Sequence, residues 1–338
     1  MNNRIGNSSP RRGLLAGVFA ALVALTIFGS PSVATAQLVS GLGGPSGSTV
    51  GPDGAIYVAE GLIGRVSRVD PTTGERSTLI SGLPTGIIGF GGPVDVAFIG
   101  DTAYVLVSTV GDPLLGAGAI DGIYRVDGPT SFTVIADLGS YSAANLPDPS
   151  IQILLVNGLQ YALETFRGGF LVTDGHHNRV LQVTRDGEIS EFKAFGNIVP
   201  TGLEVHGNTV YMAESGPAPH FPEDGKIVAI NAKSRAVAEV ASGAPLLVDV
   251  EFGRGQTLYG LAQGFWDGAV PGDPANPFTG SLVRVNHDGT FHVLATSLNL
   301  PSSVEFIGNT AYVVSLAGKI WAIPDVSGPP FGNARSRR

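Results

Sequence analysis

The sequence predicts an all-β fold, a six-bladed β-propeller whose last blade is closed by the N-terminal strand of the mature chain. Three observations predict it: one pattern repeated six times, hairpin turn chemistry inside the copies, and a strand motif near the start that supplies what the final copy lacks. The repeated pattern is a Pro or its equivalent, a short strand, a Gly-rich turn, and a second strand opening on an aromatic or apolar residue. The copies are PSGSTVGPDGAIYVAE from Pro45, PVDVAFIGDTAYVLVS from Pro93, QYALETFRGGFLVTD from Gln160, PTGLEVHGNTVYMAES from Pro200, PLLVDVEFGRGQTLYGLA from Pro245 and PSSVEFIGNTAYVVSLAG from Pro301. In three of them Pro and Tyr stand eleven residues apart (Pro93/Tyr104, Pro200/Tyr211, Pro301/Tyr312).

Each copy continues into a third strand and usually a fourth, as in RVLQVTRDGEISEFKAF and LVRVNHDGTFHVLATSL. Apolar and polar residues alternate, and Asp-Gly or Thr-Gly turns join the runs into hairpins. Four antiparallel strands at a period of roughly 40 to 50 residues is the mark of a propeller blade. The sixth copy stops after Ile320-Trp321-Ala322-Ile323, without a fourth strand. Gln37 to Leu42 (QLVSGL) matches Ser77 to Leu83 (STLISGL) and lies just before the first blade, so it is expected to complete the last one. A closed ring leaves no blade interface uncapped. The stretch Leu138 to Gly158 falls outside the pattern. Its run Ile151-Gln152-Ile153-Leu154-Leu155-Val156 reads as an extra strand or hairpin.

Composition sets the class. Hydrophobic residues make up 43% of the 338, enough for a large core, and charged residues only 14%, too few for a disordered or nucleic-acid-binding chain. With no cysteine, disulfides and thiolate metal sites are excluded. Arg4, Arg11 and Arg12, the apolar run Leu14 to Phe28 and the small residues Ala34-Thr35-Ala36 form an N-terminal export signal, so the mature chain is expected to start near Gln37. The apolar run is too short for a membrane anchor, and no stable anchor is expected after cleavage. A Sec signal is favoured over a twin-arginine one, for which Arg11-Arg12 is the only hint. The expected organisation is a signal peptide at 1–36, a propeller at 37–328 and a polar tail at 329–338, in a protein secreted or held in the periplasm. Removing the leader leaves 17 basic against 28 acidic residues, a net charge of −11 that argues against nucleic acid and anionic membranes.

The third copy, GGFLVTDGHHNRVLQVTRDGEISEF, resembles the NHL repeat through Asp174, the pair Asn178-Arg179 and the turn Asp186-Gly187. The mature chain as a whole resembles the ScyD/ScyE family of secreted, TolB-like six-bladed propellers. The likeness is clearest in GLQYALETFRGGFLVTDGHHNRVLQV and in GNIVPTGLEVHGNTVYMAESGPAPHFPEDGKIV. The resemblance implies fold and export; it does not imply a reaction.

Blade topology sorts the loops onto two faces. The turns joining strands one to two and three to four are all short. The loops joining strands two to three, and one blade to the next, hold every long segment: STVGDPLLGAGAIDG, ESGPAPHFPEDGK, QGFWDGAVPGDPANPFTG, Leu83 to Gly92 and Leu138 to Gly158. Binding residues usually ride on such loops over a rigid scaffold. Candidates there are Glu60, Asp174 and Glu214 at the ends of second strands, with His176 and His177 close behind. Together they could hold a divalent cation such as Ca²⁺, with Asp174 and Glu214 as ligands, or supply a general acid and base. Each also has a plain structural reading as a turn cap or loop residue. Trp266 could stack on a sugar or another planar ligand, or anchor its own loop.

No complete catalytic set is assembled by the sequence. Six-bladed lactonases of the gluconolactonase type take metal ligands from a Glu before an early Pro and an Asn after a later one. Here Gly44 precedes Pro45, and Ser46, Thr201 and Ser302 follow the corresponding prolines. Asp95 and Asp249, on first strands, remain possible channel carboxylates. No nucleophile elbow and no dinucleotide fingerprint is present. Two readings stay open: a binding module for a protein, glycan or small molecule, and a lactonase-like hydrolase or lyase, divalent-metal dependent or not.

Overall fold

The computed structural model describes residues 35–87, 89–115, 118–268 and 272–327. The expected tail lies outside them, as does the expected leader except for its last two residues. The described residues build six four-stranded antiparallel sheets. Blades one to five span 45–81, 92–137, 160–194, 200–242 and 247–298. Blade six takes three strands from 301–323 and its fourth from Ala36–Ser40, which pairs with Lys319–Ile323 in the register Gln37↔Trp321 and Ser40↔Lys319. The predicted closure is therefore what the chain adopts.

Alternation along the strands places apolar side chains between blades, not inside one sheet. Six buried clusters result, and each spans one blade-to-blade junction. The second-strand tyrosine of one blade meets a phenylalanine of the next at four of these junctions. Ring centroids are 4.8 Å apart for Tyr57/Phe98 and Tyr104/Phe170, 5.2 Å for Tyr211/Phe252 and 4.4 Å for Tyr259/Phe306. That contact is the physical meaning of the repeated tyrosine. At the closing junction Val39 and Leu42 join Ile56, Val58, Tyr312 and Ile320, and the Tyr312 hydroxyl donates to the Pro71 carbonyl at 3.2 Å.

The innermost strands lie too far apart around the axis to pair by backbone, so hydroxyls stitch them. Ser46 Oγ donates to Val94 O at 2.8 Å, Thr201 Oγ1 to Leu247 O at 2.9 Å, and Ser302 Oγ to Ser46 O at 2.8 Å. Every inner strand is also bulged near its start, for example between Pro93 and Asp95 and between Leu247 and Asp249. A bulge bends a strand and re-aims its side chains.

The expectation of an extra strand in 138–158 is corrected. Leu138–Ala144 is a helix, and 151–156 forms no strand. Asp137 caps the helix by accepting from Ser140 N at 2.8 Å, while Leu138 and Ser142 are buried beneath it. The adjoining sheets already hold four strands, so the apolar run finds no ladder. It packs instead over the channel mouth, where Gln152, Leu154 and Leu155 line a cavity.

Ring closure predicts an asymmetric mutational response. Val39 is 5% exposed in the closing junction and Val293 50% exposed on an outer strand. Val39→Asp is expected to cost roughly 3 kcal/mol or more by burying a charge, and Val293→Asp within about 0.5 kcal/mol. Thermal melts followed by circular dichroism measure both; equal losses would mean that the N-terminal strand does not seal the ring.

Candidate functional site

The inner strands enclose an axial cavity of about 1210 Å³ that opens among the long loops. Two tiers of carboxylates project toward it. Aligning the six inner strands places Gly47, Asp95, Ala162, Gly202, Asp249 and Ser303 at one level, and Thr49, Ala97, Glu164, Glu204, Glu251 and Glu305 two residues further on. Residues two apart on a strand share a face. The upper tier therefore carries two aspartates in opposite blades, and the lower tier four glutamates from successive blades.

The aspartates bridge blades. Asp95 accepts from its neighbour Val96 N at 2.8 Å and from Leu163 N of blade three at 2.7 Å. Asp249 repeats this with Val250 N at 2.9 Å and Val304 N of blade six at 2.8 Å. On the preceding blade a glycine faces each of them: a Cβ at Gly47 would collide with the Asp95 carboxylate, and one at Gly202 with Asp249. The ring thus has an internal two-fold likeness, blades one to three matching blades four to six.

The glutamates have far less to bond to. Glu204 and Glu251, on neighbouring inner strands, stand at the same level of the channel. Burial, then the neighbouring carboxylates, pushes Glu164, Glu251 and Glu305 well above the usual range. The same causes bring Glu204 up to about 7, and burial brings Asp249 up to about 6 against its backbone hydrogen bonds. Asp95 is also raised well above its ordinary value by burial. Among the described residues, the cavity wall holds no lysine or arginine.

Of the six predicted site residues only His176 lines this cavity. Its Nδ1 is buried without a hydrogen-bond partner, and burial holds the ring below its ordinary pKa. Glu60 and Asp174 stand at the ends of second strands on the long-loop face, as expected, but their carboxylates are consumed inside the blades. Glu60 accepts from Gly43 N at 2.6 Å, from Arg65 Nε at 2.8 Å and from Ser67 Oγ. Burial raises it, and these bonds more than offset that, leaving its carboxyl below the usual range. Asp174, 0% exposed, accepts from Ser142 Oγ at 3.0 Å, Leu159 N at 3.1 Å and Arg179 Nε at 3.2 Å.

His177 belongs to the same network. Arg179 donates to its Nδ1 at 3.0 Å and its Nε2 donates to Leu155 O at 3.3 Å, an arrangement that suits the neutral ring. Asn178, the other half of the NHL-like pair, has a φ of 53° and accepts from Ile198 N and Val199 N at 2.7 Å each, fastening blade three to the next linker. Glu214 is buried, and burial pushes it up to about 7, with Lys226 opposing and Glu239 assisting. Asp174 and Glu214 sit in different blades, and among the described residues no group of three or more His, Cys, Asp or Glu is placed to hold a metal ion. Trp266 donates its indole N–H to Asp273 O at 3.0 Å in its own loop and packs edge-on to His220 at 5.6 Å.

One further residue marks the mouth. Thr109 is 2% exposed, lines the cavity, has a φ of 58°, and its Oγ1 finds no partner. Gly91 lies so close that a Cβ there would collide with this hydroxyl. A buried unpaired hydroxyl costs about 1–3 kcal/mol, which a bound ligand could recover.

No family model matches the chain, and no curated protein matches it in sequence. Solved structures do match in fold. Virginiamycin B lyase from Staphylococcus aureus is 16% identical with a TM-score of 0.54, over 87% of this chain and 99% of its own. A gluconolactonase from Xanthomonas campestris is 12% identical at 0.59, over 86% and 89%. The PQQ-bound aldose sugar dehydrogenase from Streptomyces coelicolor is 13% identical at 0.56, over 87% and 99%. At such identities the likeness establishes the propeller fold.

The raised carboxyls predict a pH dependence of definite sign. A group whose acid form is favoured by folding holds more protons when folded, so its contribution is lost as pH rises from its unfolded value of about 4 through the folded one. For Glu204 that window runs up to about 7. Glu204→Gln, which cannot ionise, is expected to flatten the fall in melting temperature from pH 5 to pH 8. The difference between the two curves separates Glu204 from His176, His177 and His220, whose lowered values act in the opposite sense below their ordinary pKa. Parallel curves would rule Glu204 out as a source.

Proposed function

We propose that the chain is an exported propeller of the ScyD/ScyE kind that takes a small molecule into its axial channel from the long-loop face. The observation that carries this reading is the cavity itself: about 1210 Å³, lined by apolar and polar side chains in comparable number and reaching the long loops at one end. A cleft of roughly this size with convergent polar groups suits a small molecule. Two orphaned polar atoms at its mouth, Thr109 Oγ1 and His176 Nδ1, favour a ligand over plain solvent. A small molecule is favoured over a protein or glycan partner because the polar groups lie down a hole and not across a surface. Trp266, the sugar-stacking candidate, is used by its own loop.

A second reading has its own support. Glu204 near 7 and Asp249 near 6 are carboxyls poised to exchange protons at neutral pH. Perturbed acids in a cleft are suited to general acid–base work. A hydrolase or lyase acting in the same channel is therefore the alternative, and the enzymes that share the fold are consistent with it.

Thr109→Val tests the binding reading, because it keeps the shape and removes the orphaned hydroxyl. The free protein is expected to be as stable as the wild type or more stable, by up to about 2 kcal/mol, while ligands found in a thermal-shift screen lose affinity. His176→Ala is expected to weaken the same ligands. If every stabilising ligand keeps its shift in both variants, the mouth is not the binding site. Turnover of such a ligand that is abolished by Glu204→Gln would select the enzyme reading. Export has a separate check: N-terminal sequencing of protein from a secreting host is expected to begin at Gln37, and an intact Met1 would remove export from the proposal.

A further inference from the structure

We propose that the channel's ligand is an amphiphilic ammonium ion, its charged head among the lower carboxylates and its apolar body against the mouth. This rests on the small-molecule reading above and names the ligand class.

Three observations converge on it. First, the channel glutamates, half-buried around the axis, lack the ion pairs that hold two of the fully buried acids. Glu60 has Arg65 and Asp174 has Arg179, each within 3.2 Å. Glu164, Glu204, Glu251 and Glu305 face one another across the axis, and among the described residues no lysine or arginine shares their cavity. Among the described residues, the basic groups lining it are His176 and His220, both at the mouth. Each glutamate is disfavoured as a charge by burial and by its neighbours. An ammonium group entering this tier would offset the repulsion and donate hydrogen bonds to several carboxylate oxygens at once.

Second, the mouth carries a polar group with nothing to bond to. Thr109 is 2% exposed, lines the same cavity, and leaves its Oγ1 unsatisfied. It stands in the wall of the same cavity and is independent of the acidic tier.

Third, the approach to the channel is apolar. Most of the large apolar side chains exposed among the described residues lie on the long-loop face, including Leu62, Leu114, Leu154, Phe221 and Phe265. Leu62 and Leu154 belong to the cavity wall itself, with Phe90, Leu155 and Tyr161. An acidic shaft beneath an apolar collar is complementary to a molecule with one cationic end and one greasy end. The net negative charge of the chain favours the approach of such a cation.

The test is calorimetry on the mature chain with three probes of equal length: n-octylammonium, n-octanol and n-octanoate. At pH 7.5 and low salt, the ammonium is expected to bind at least about tenfold more tightly than octanol, and octanoate not to bind, by the sign of the charge. Titrations in buffers of different ionisation enthalpy are expected to show proton release on binding, and affinity to fall by about tenfold or more at pH 5, where the glutamates are protonated. The triple variant Glu204→Gln, Glu251→Gln, Glu305→Gln keeps the shape of the shaft and is expected to lose the preference for ammonium while melting no lower than the wild type. Equal binding of octanol and octylammonium, or a preference that survives in the triple variant, overturns the ammonium proposal and leaves the small-molecule channel standing. Failure of all three probes, alongside screened ligands that depend on Thr109, does the same. Failure of the probes with no Thr109-dependent ligand at all overturns both. Co-sedimentation with phosphatidylcholine vesicles without any octylammonium binding would assign the apolar collar to a lipid surface, and would also overturn the proposal.

Discussion

The pairing of Ala36–Ser40 with Lys319–Ile323 is the constraint on which the rest of the molecule depends. Without it, blade six would have three strands, an open edge, and no partner for Val39 and Leu42 against Ile56 and Val58 of blade one. An exposed edge is a hazard in any β fold, and full closure is the surest way to remove it. Closure also sets the geometry of the axis. The inner strands surround a channel only because six blades meet in a ring, and hydroxyl bridges such as Ser302 to Ser46 and Ser48 to Ser303 cross the very junction that the N-terminal strand seals.

The repeat was legible because its residues do the same job in each blade. The tyrosine recurs because it fills the junction with the next blade, and the Gly-rich turns recur because hairpins need a left-handed residue, as Gly100, Gly168, Gly207 and Gly308 show. The segment 138–158 was misread for the opposite reason. An apolar run says that burial is needed but not what provides it. Here a short helix capped by Asp137 and a loop over the channel mouth bury part of the run, with no strand pairing at all.

The candidate site was legible at the level of the face and less so at the level of side chains. Length picked out one rim of the cavity, since the 138–158 segment and the loop after Ser215 both contribute to its wall. Strand ends alone did not reveal which way a carboxylate points. Glu60 and Asp174 turn into their blades because a basic residue at the start of the third strand, Arg65 or Arg179, stands opposite in the register. The Asp–Asn–Arg pattern of blade three is such a buttress: Asp174, Asn178 and Arg179 tie together the helix, the strand ends and the next linker. Asp95 and Asp249 were visible on first strands. The lower glutamates could have been found by aligning the six inner strands, since LETF, LEVH, VEFG and VEFI place Glu164, Glu204, Glu251 and Glu305 at one position.

The two tiers divide the work of the channel. The aspartates each satisfy two backbone N–H groups across a blade boundary, so they hold the scaffold even though burial disfavours their charge. The glutamates one step further down add repulsion and little bonding, which works against the stability of the ring. A fold tolerates such a cost where the remaining structure is over-determined, and six inter-blade cores with four aromatic contacts provide that reserve. Unfavourable groups kept on a rigid scaffold are a common mark of a functional site. On this argument the aspartate tier, bonded to backbone N–H groups across a blade boundary, belongs to the architecture, and the glutamate tier, which lacks that bracing, to the ligand.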